Sequence, residues 1–176
     1  MAVDLDFKAV LGRFCTGVTA VTALDGEQPL GFACQSFSAL SLDPLAVAIF
    51  PARTSTTWPR IREVGRFCVN ILAADQESVC RQLSRSGTDK FADLEWTRSP
   101  NGAPLLAGAI AWIDCTLAQE VDGGDHTIVV GHVTALGEQR EAPPLLFYRS
   151  AFERLEQRPL SGTPATGPRP AVSASK

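Results

Sequence analysis

Near the start of the chain, Leu5, Phe7, Val10, Leu11 and Phe14 share largely one face at helical spacing, with Asp4 or Asp6 placed to cap the first turn. This predicts a short amphipathic helix over Asp4–Phe14. The period then drops to two. Val18–Leu24 alternates and is rich in β-branched residues, Asp25-Gly26 supplies a turn, and a return strand runs from Leu30 to a break at Asp43-Pro44. Leu45–Phe50 does not alternate, which predicts a strand buried on both faces. A hydroxyl-dense loop, Pro51–Thr57, leads into a predicted helix over Trp58–Val64, where Pro59 sits in a first turn that has no use for its missing N–H.

Phe67–Leu72 reads as another strand, and Asp75–Leu83 as a helix with Val79 and Leu83 four apart. The polar stretch Ser84–Asp89 follows. In the last third, Ile110–Val121 and Thr127–Leu136 are two long strands joined by Asp122-Gly-Gly-Asp125, a hairpin signal. Leu145–Tyr148 is a shorter strand, and Ala151–Leu155 adds one turn or a last pairing. Six or seven strands with a few short helices predict a mainly β fold, a closed or nearly closed antiparallel barrel. Strands do not alternate regularly with helices, which disfavours a doubly wound sheet. The domain is expected over residues 1–156. From Gln157 the chain is rich in Pro, Ser and Ala and too poor in apolar residues to offset its ordering entropy, so residues 157–176 are expected to form a flexible tail.

Composition narrows the function. A chain of 176 residues with net charge -3 and pI near 5.4 carries no basic stripe for nucleic acid or an anionic membrane. No apolar run approaches the roughly 20 residues that span a bilayer. No basic segment followed by an apolar core opens the chain, so a cytoplasmic protein is expected. Arginine outnumbers lysine, which suits local phosphate recognition. The five cysteines are odd in number and form no Cys-x-x-Cys, so buried free thiols are expected. With two histidines and scattered thiols, no metal site is expected. Gly-x-Gly-x-x-Gly, the phosphate-loop motif, the Gly-x-Ser-x-Gly elbow and His-Glu-x-x-His are all absent.

Three segments hold candidate chemistry. Ala33–Ser41 is an extended run of small residues that leaves backbone groups within reach of a planar ring, with hydroxyls from Ser36 and Ser38; a strand packed closely on a helix is the alternative. Arg53-Thr-Ser-Thr56 offers a guanidinium and hydroxyls just before a helix start, an anion site or simply a cap. Arg85-Ser-Gly-Thr-Asp-Lys90 repeats the cation–hydroxyl–glycine mixture, and alone reads as a solvated helix end. His126 stands where the Gly123-Gly124-Asp125 turn enters a strand, which is rigid enough to aim a side chain. His132, mid-strand, reads as packing or surface.

Together these residues carry a resemblance. Phe14–Thr22, Gly31–Leu45, Thr54–Thr57, Phe67–Leu72, Lys90-Phe91, Gly124–Thr127 and Pro144–Arg149 resemble, in order, elements of the flavin-reductase-like family with the FMN-binding split-barrel fold, over about Asp6–Leu155. The resemblance implies an antiparallel, Greek-key type split barrel that forms a homodimer with the flavin near the subunit interface. It implies NAD(P)H-dependent reduction of FMN, with FAD possible, by hydride transfer from NADH or NADPH to flavin N5. Reduced flavin then diffuses to a separate flavin-dependent monooxygenase. By the same resemblance, Ala33, Cys34, Gln35, Ser36 and Ser38 line the isoalloxazine edge, and Arg53, Thr54, Ser55 and Thr56 hold the ribityl phosphate. Ser86, Gly87 and Lys90 form a second wall, His126 lies where nicotinamide stacks, and Tyr148 belongs to the final strand. Cys34 stands where relatives commonly carry threonine, which removes a hydrogen-bond donor. An FMN-binding electron carrier, or an oxidase of the pyridoxamine-phosphate oxidase type on the same barrel, is the alternative, and a ligand-free β-barrel interaction module a third.

Overall fold

A computed structural model describes residues 6–87 and 89–155. The predicted tail lies outside them. β2 (Thr19–Asp25) and β3 (Gln28–Cys34) form the first hairpin, turning at Gly26 with φ of 59°. β4 (Phe37–Leu42), β5 (Leu45–Ile49), β6 (Arg66–Ile71), β9 (Ala111–Asp122) and β10 (Thr127–Glu138) complete a seven-stranded antiparallel sheet in the order β3-β2-β6-β9-β10-β5-β4. The β9–β10 hairpin is its longest pairing, closed by Asp122–Asp125, where Gly124 takes φ of 86°, a conformation that favours glycine.

The return strand expected from Leu30 to Asp43 is two strands. β3 ends at Cys34 and β4 starts at Phe37, yet they occupy opposite ends of the sheet. Three Cα steps span at most about 11 Å. The sheet is therefore curled until its two edges approach at Gln35-Ser36. No ladder joins β3 to β4 among the described residues, so the expected barrel is left open along this seam. Tertiary bonds set the corner: the Ser36 hydroxyl donates to the Phe50 carbonyl (3.0 Å), and the Phe50 N–H to the Ser36 carbonyl (3.1 Å). No glycine or proline marks it in the sequence.

Five short strands were not all expected. β1 (Thr16–Gly17), β11 (Leu146–Tyr148) and β12 (Ala151–Glu153) form one small sheet, so 151–153 is a last pairing rather than a helical turn. β7 (Trp96–Arg98) and β8 (Pro104–Leu106) form a hairpin that covers the outer face of the main sheet. That cover explains why β2, despite its alternating sequence, is buried on both faces. Val21 and Ala23 enter one core, while the Thr22 hydroxyl donates to the Pro104 carbonyl (2.6 Å) and accepts from Asn70 Nδ2 (3.0 Å).

Two helices pack against the sheet. α2 (Trp58–Val64) lies on β2 and β6, buries Trp58 and Ile61 and ends at Gly65, whose φ of 74° is again the glycine region. α3 (Glu77–Leu83) lies on β3 and β2 and buries Cys80 and Leu83. α1 (Phe7–Leu11) is shorter than expected, capped by the Asp6 carboxylate, and Phe7, Val10, Leu11 and Phe14 are all exposed. Four thiols are buried and free; Cys15 is free and exposed, against expectation. His132 is on the surface. Among the described residues no helix is long and apolar enough to cross a membrane, and no group of three or more His, Cys, Asp or Glu side chains could hold a metal ion.

Candidate active site

Beside the open seam of the sheet lies a cleft of about 920 Å³, close to the upper end of the roughly 300–1,000 Å³ typical of small-molecule sites. Its first wall is the β3–β4 corner, Ala33, Cys34, Gln35 and Ser36. Cys34 is a buried thiol whose Sγ lies 3.4 Å from the Ser36 hydroxyl. Burial pushes its pKa up, so it stays a neutral, compact part of the floor rather than a nucleophile.

The second wall is the loop leaving β5 together with the β9–β10 turn. Ala52 bridges to His126, the Thr127 N–H donates to the Pro51 carbonyl (2.9 Å), and the Arg53 N–H donates to the Asp125 carbonyl (2.9 Å). Pro51, Ala52, Ser55 and His126 line the cleft from this side. Ser55 also accepts the Trp58 N–H (3.1 Å), so its hydroxyl satisfies the first N–H of α2 from two residues before the N-cap Thr57. His126 Nδ1 lies 2.8 Å from Asp125 Oδ1. The hydrogen bond and charge of the imidazole hold the Asp125 carboxyl below its ordinary 3.8. A neutral His126 that donates Nδ1–H to this carboxylate leaves Nε2 as an acceptor.

Apart from Arg85, which the polar stretch after α3 had marked, the third wall went unread in the sequence. Cys80, Arg81, Ser84 and Arg85 come from one face of α3 and its end; Phe147, Ser150 and Phe152 come from the β11–β12 hairpin. Their signal was the i, i+4 repeat of Arg81/Arg85 and Cys80/Ser84, which places all four on one helical stripe. No Asp or Glu lines the cleft, so its fixed charge comes from Arg81 and Arg85 in a chain of net charge -3.

Of the residues singled out by sequence, Ala33, Cys34, Gln35, Ser36, Ser55, Arg85 and His126 meet in this cleft. Thr56, Ser86, Gly87 and Lys90 line a smaller neighbour of about 360 Å³. The loop at Ser55-Thr56 is the partition between the two. Ser38, Arg53, Thr54 and Tyr148 line neither. Ser38 donates to the Ala39 carbonyl, and Arg53 turns to Asp122 (3.5 Å) and the Gly124 carbonyl (3.3 Å). Tyr148 is one residue out of phase with Phe147, which in a strand means the opposite face. A flat, polar ring with an anionic chain suits what remains: small side chains at the corner, hydroxyls from Ser36, Ser55, Ser84 and Ser150, and positive charge opposite them.

A model of the flavin reductase-like domain matches residues 11–156. The chain is 51% identical over 150 residues to the reductase subunit HsaB of a flavin-dependent monooxygenase from Rhodococcus jostii, covering 85% of this chain and 77% of that protein. Among solved structures it is similar to nitrilotriacetate monooxygenase component B from Mycobacterium thermoresistibile, with a TM-score of 0.83, 46% identity, and 96% of this chain and 94% of that one covered. It is also similar to SgcE6, a Streptomyces globisporus NADH:FAD oxidoreductase solved with NAD and FAD fragments, with a TM-score of 0.80, 34% identity, and coverage of 85% and 91%.

Proposed function

Because this chain belongs to the flavin reductase-like family and is an NAD(P)H:flavin oxidoreductase, we propose that the cleft at the open seam is where flavin and nicotinamide are held together. The carrying observation is the convergence of Ala33–Ser36, Ser55 and His126, from segments far apart in the chain, on one cavity. Bound flavin supplies a hydride-accepting centre; the chain supplies alignment and a dry surface.

Backbone groups of Ala33–Ser36 and the Ser36 hydroxyl meet the ring edge. The Ser55-Thr56 partition leads the phosphate from the main cleft toward Ser86 and Gly87 in the smaller one. His126 stands at the nicotinamide position. Its Nε2 accepts from a carboxamide N–H or, with both ring nitrogens protonated, offsets negative charge in the cleft. Asp125 fixes the imidazole's orientation through the Nδ1 contact.

The curled sheet is the Greek-key split barrel of a cytoplasmic homodimer, its domain covering 1–156 and its tail 157–176. The exposed apolar face of α1 is a natural place for the second copy. Reduced flavin passes by diffusion to a separate monooxygenase, a reading supported by the naming of HsaB as a reductase subunit. The test is anaerobic stopped-flow absorbance of protein plus FMN mixed with NADH or NADPH. Fast loss of the oxidised-flavin band, saturating in the nicotinamide, is expected; a bound flavin that neither nucleotide bleaches would overturn the reading.

A further inference from the structure

Where the β7–β8 hairpin meets β9 and β10 lies a cavity of about 590 Å³ that shares no residue with the flavin cleft. Trp96 and Trp112 line it, together with Glu95, Leu105, Ala107 and Gln139. The Trp112 ring lies directly on its cross-strand partner Gly137, where a Cβ would come within 2.9 Å of it, so the sheet fixes the indole in advance. Of the three indole N–H groups in the chain, only that of Trp58 has an acceptor among the described residues, the Glu120 carboxylate at 2.7 Å. Glu95 forms no ion pair among the described residues.

These are the parts of a polyproline receptor. Aromatic rings pack on pyrrolidines, and an indole N–H donates to the carbonyls that a polyproline helix leaves without internal partners. A free carboxylate beside them selects a cation in the same peptide.

The chain carries such a peptide itself. The described residues end at Leu155 and the sequence continues to Lys176. Pro168-Arg169-Pro170 sets a cation between two prolines. Among the side chains of residues 156–176, Arg158, Arg169 and Lys176 stand against Glu156 alone, so a basic segment is tied to an acidic body in a chain of net charge -3.

The point of departure lies close to the cavity. Arg154 and Leu155 share a pocket with Asp75, Ala142 and Pro143. Arg140 spans the wall between that pocket and the tryptophans: Nη2 bonds Asp75, and Nε donates to the Gly108 carbonyl (2.8 Å), next to Ala107. Gln139 and Ala142 are three Cα steps apart, at most about 11 Å. The linker 156–167, at ~3.1 Å per residue, reaches about 37 Å.

We propose that Pro168-Arg169-Pro170 of the same chain docks in this cavity, its prolines on Trp96 and Trp112 and Arg169 on Glu95. Only a short, proline-stiffened stretch is ordered, which keeps the entropic cost small. Tethering supplies the rest, because a linker of this length holds the motif at an effective concentration on the order of millimolar. The docked segment lies across the junction of β7–β8 with the main sheet and leaves the flavin cleft open.

The test reads the indole N–H signals of the full, isotopically labelled chain by NMR, assigned with Trp96→Phe and Trp112→Phe. Arg169→Glu, and separately Pro168→Gly with Pro170→Gly, alter the docking segment alone. Both variants are expected to move the Trp96 and Trp112 signals, leave that of Trp58 in place and keep the wild-type Tm. Combining Glu95→Arg with Arg169→Glu is expected to restore the wild-type positions. Those positions should also hold on about tenfold dilution, as docking within one chain requires.

Unmoved Trp96 and Trp112 signals in either variant overturn the proposal. Signals that drift on dilution overturn it too, and give the cavity to the tail of a second copy. A reversed charge pair that restores nothing removes Glu95 as the partner of Arg169.

Discussion

Lys90 and Arg85 lie in the same polar stretch after α3, and the fold spends their charges in opposite ways. Lys90 points inward. Its Nζ donates to the Thr57 hydroxyl (3.2 Å) and to the carbonyls of Leu83 (3.2 Å) and Gly31 (3.4 Å), which uses all three of its N–H bonds to tie α3, α2 and β3 together. Arg85 faces the cleft and makes no such contacts among the described residues. A segment of mixed cations, hydroxyls and glycine can look like a ligand site by composition alone. What separates a structural tie from a receptor is where each donor finds its acceptor.

The contrast can be broken most severely through stability. Lys90→Ala leaves three acceptors short of a donor in a half-buried setting, with an expected cost of about 1–2 kcal/mol and a Tm lower by about 2–6 °C. Arg85→Gln should stay within about 0.5 kcal/mol of the wild type. Urea melts of both variants check this pair, and equal losses would erase the distinction.

A second contrast opposes His126 to the corner. His126→Ala is expected to slow anaerobic flavin reduction by about tenfold while FMN affinity stays within about twofold, because its role lies with the nicotinamide. An unchanged rate would remove it from the mechanism.

The smallest effect is in alkali. Burial pushes the Lys90 ammonium below its ordinary 10.5, so the folded chain gives up that proton before the unfolded chain does. The wild type should therefore gain stability relative to Lys90→Gln as pH rises through the folded value toward 10.5, and no further above it. A wild-type advantage that narrows over that interval would reverse the assigned cause.

Much of this was legible in the sequence where local chemistry decides. Pro59 and Gly65 punctuate α2, and Asp122-Gly-Gly-Asp125 closes β9–β10, so both elements fall within one or two residues of their predicted bounds. The division of β3 from β4 was not legible, because nothing between Ala33 and Ser41 breaks a strand; Ser36 and Phe50 impose the corner through space. β7 and β8 are too short to show a period.

The site divides the same way. Ala33–Ser36 and His126 stood out by residue type at a strand and a turn. Arg81 and Phe152 gain meaning only when α3 meets the β11–β12 hairpin. Arg53, which composition marked for phosphate, lines neither cleft and lies beside Asp122 and the Gly124 carbonyl, neighbours remote in sequence.

The central claim is that the open seam holds the flavin, and Gln35 gives the most direct access to it. Gln35 is exposed, lines the corner, and has no side-chain hydrogen bond among those described, so a large ring placed there should fill the cleft without disturbing the fold. FMN titration of Gln35→Trp, followed by flavin fluorescence, is expected to show at least about a tenfold loss of affinity at wild-type Tm. Wild-type affinity in that variant would place the flavin elsewhere and contradict the account.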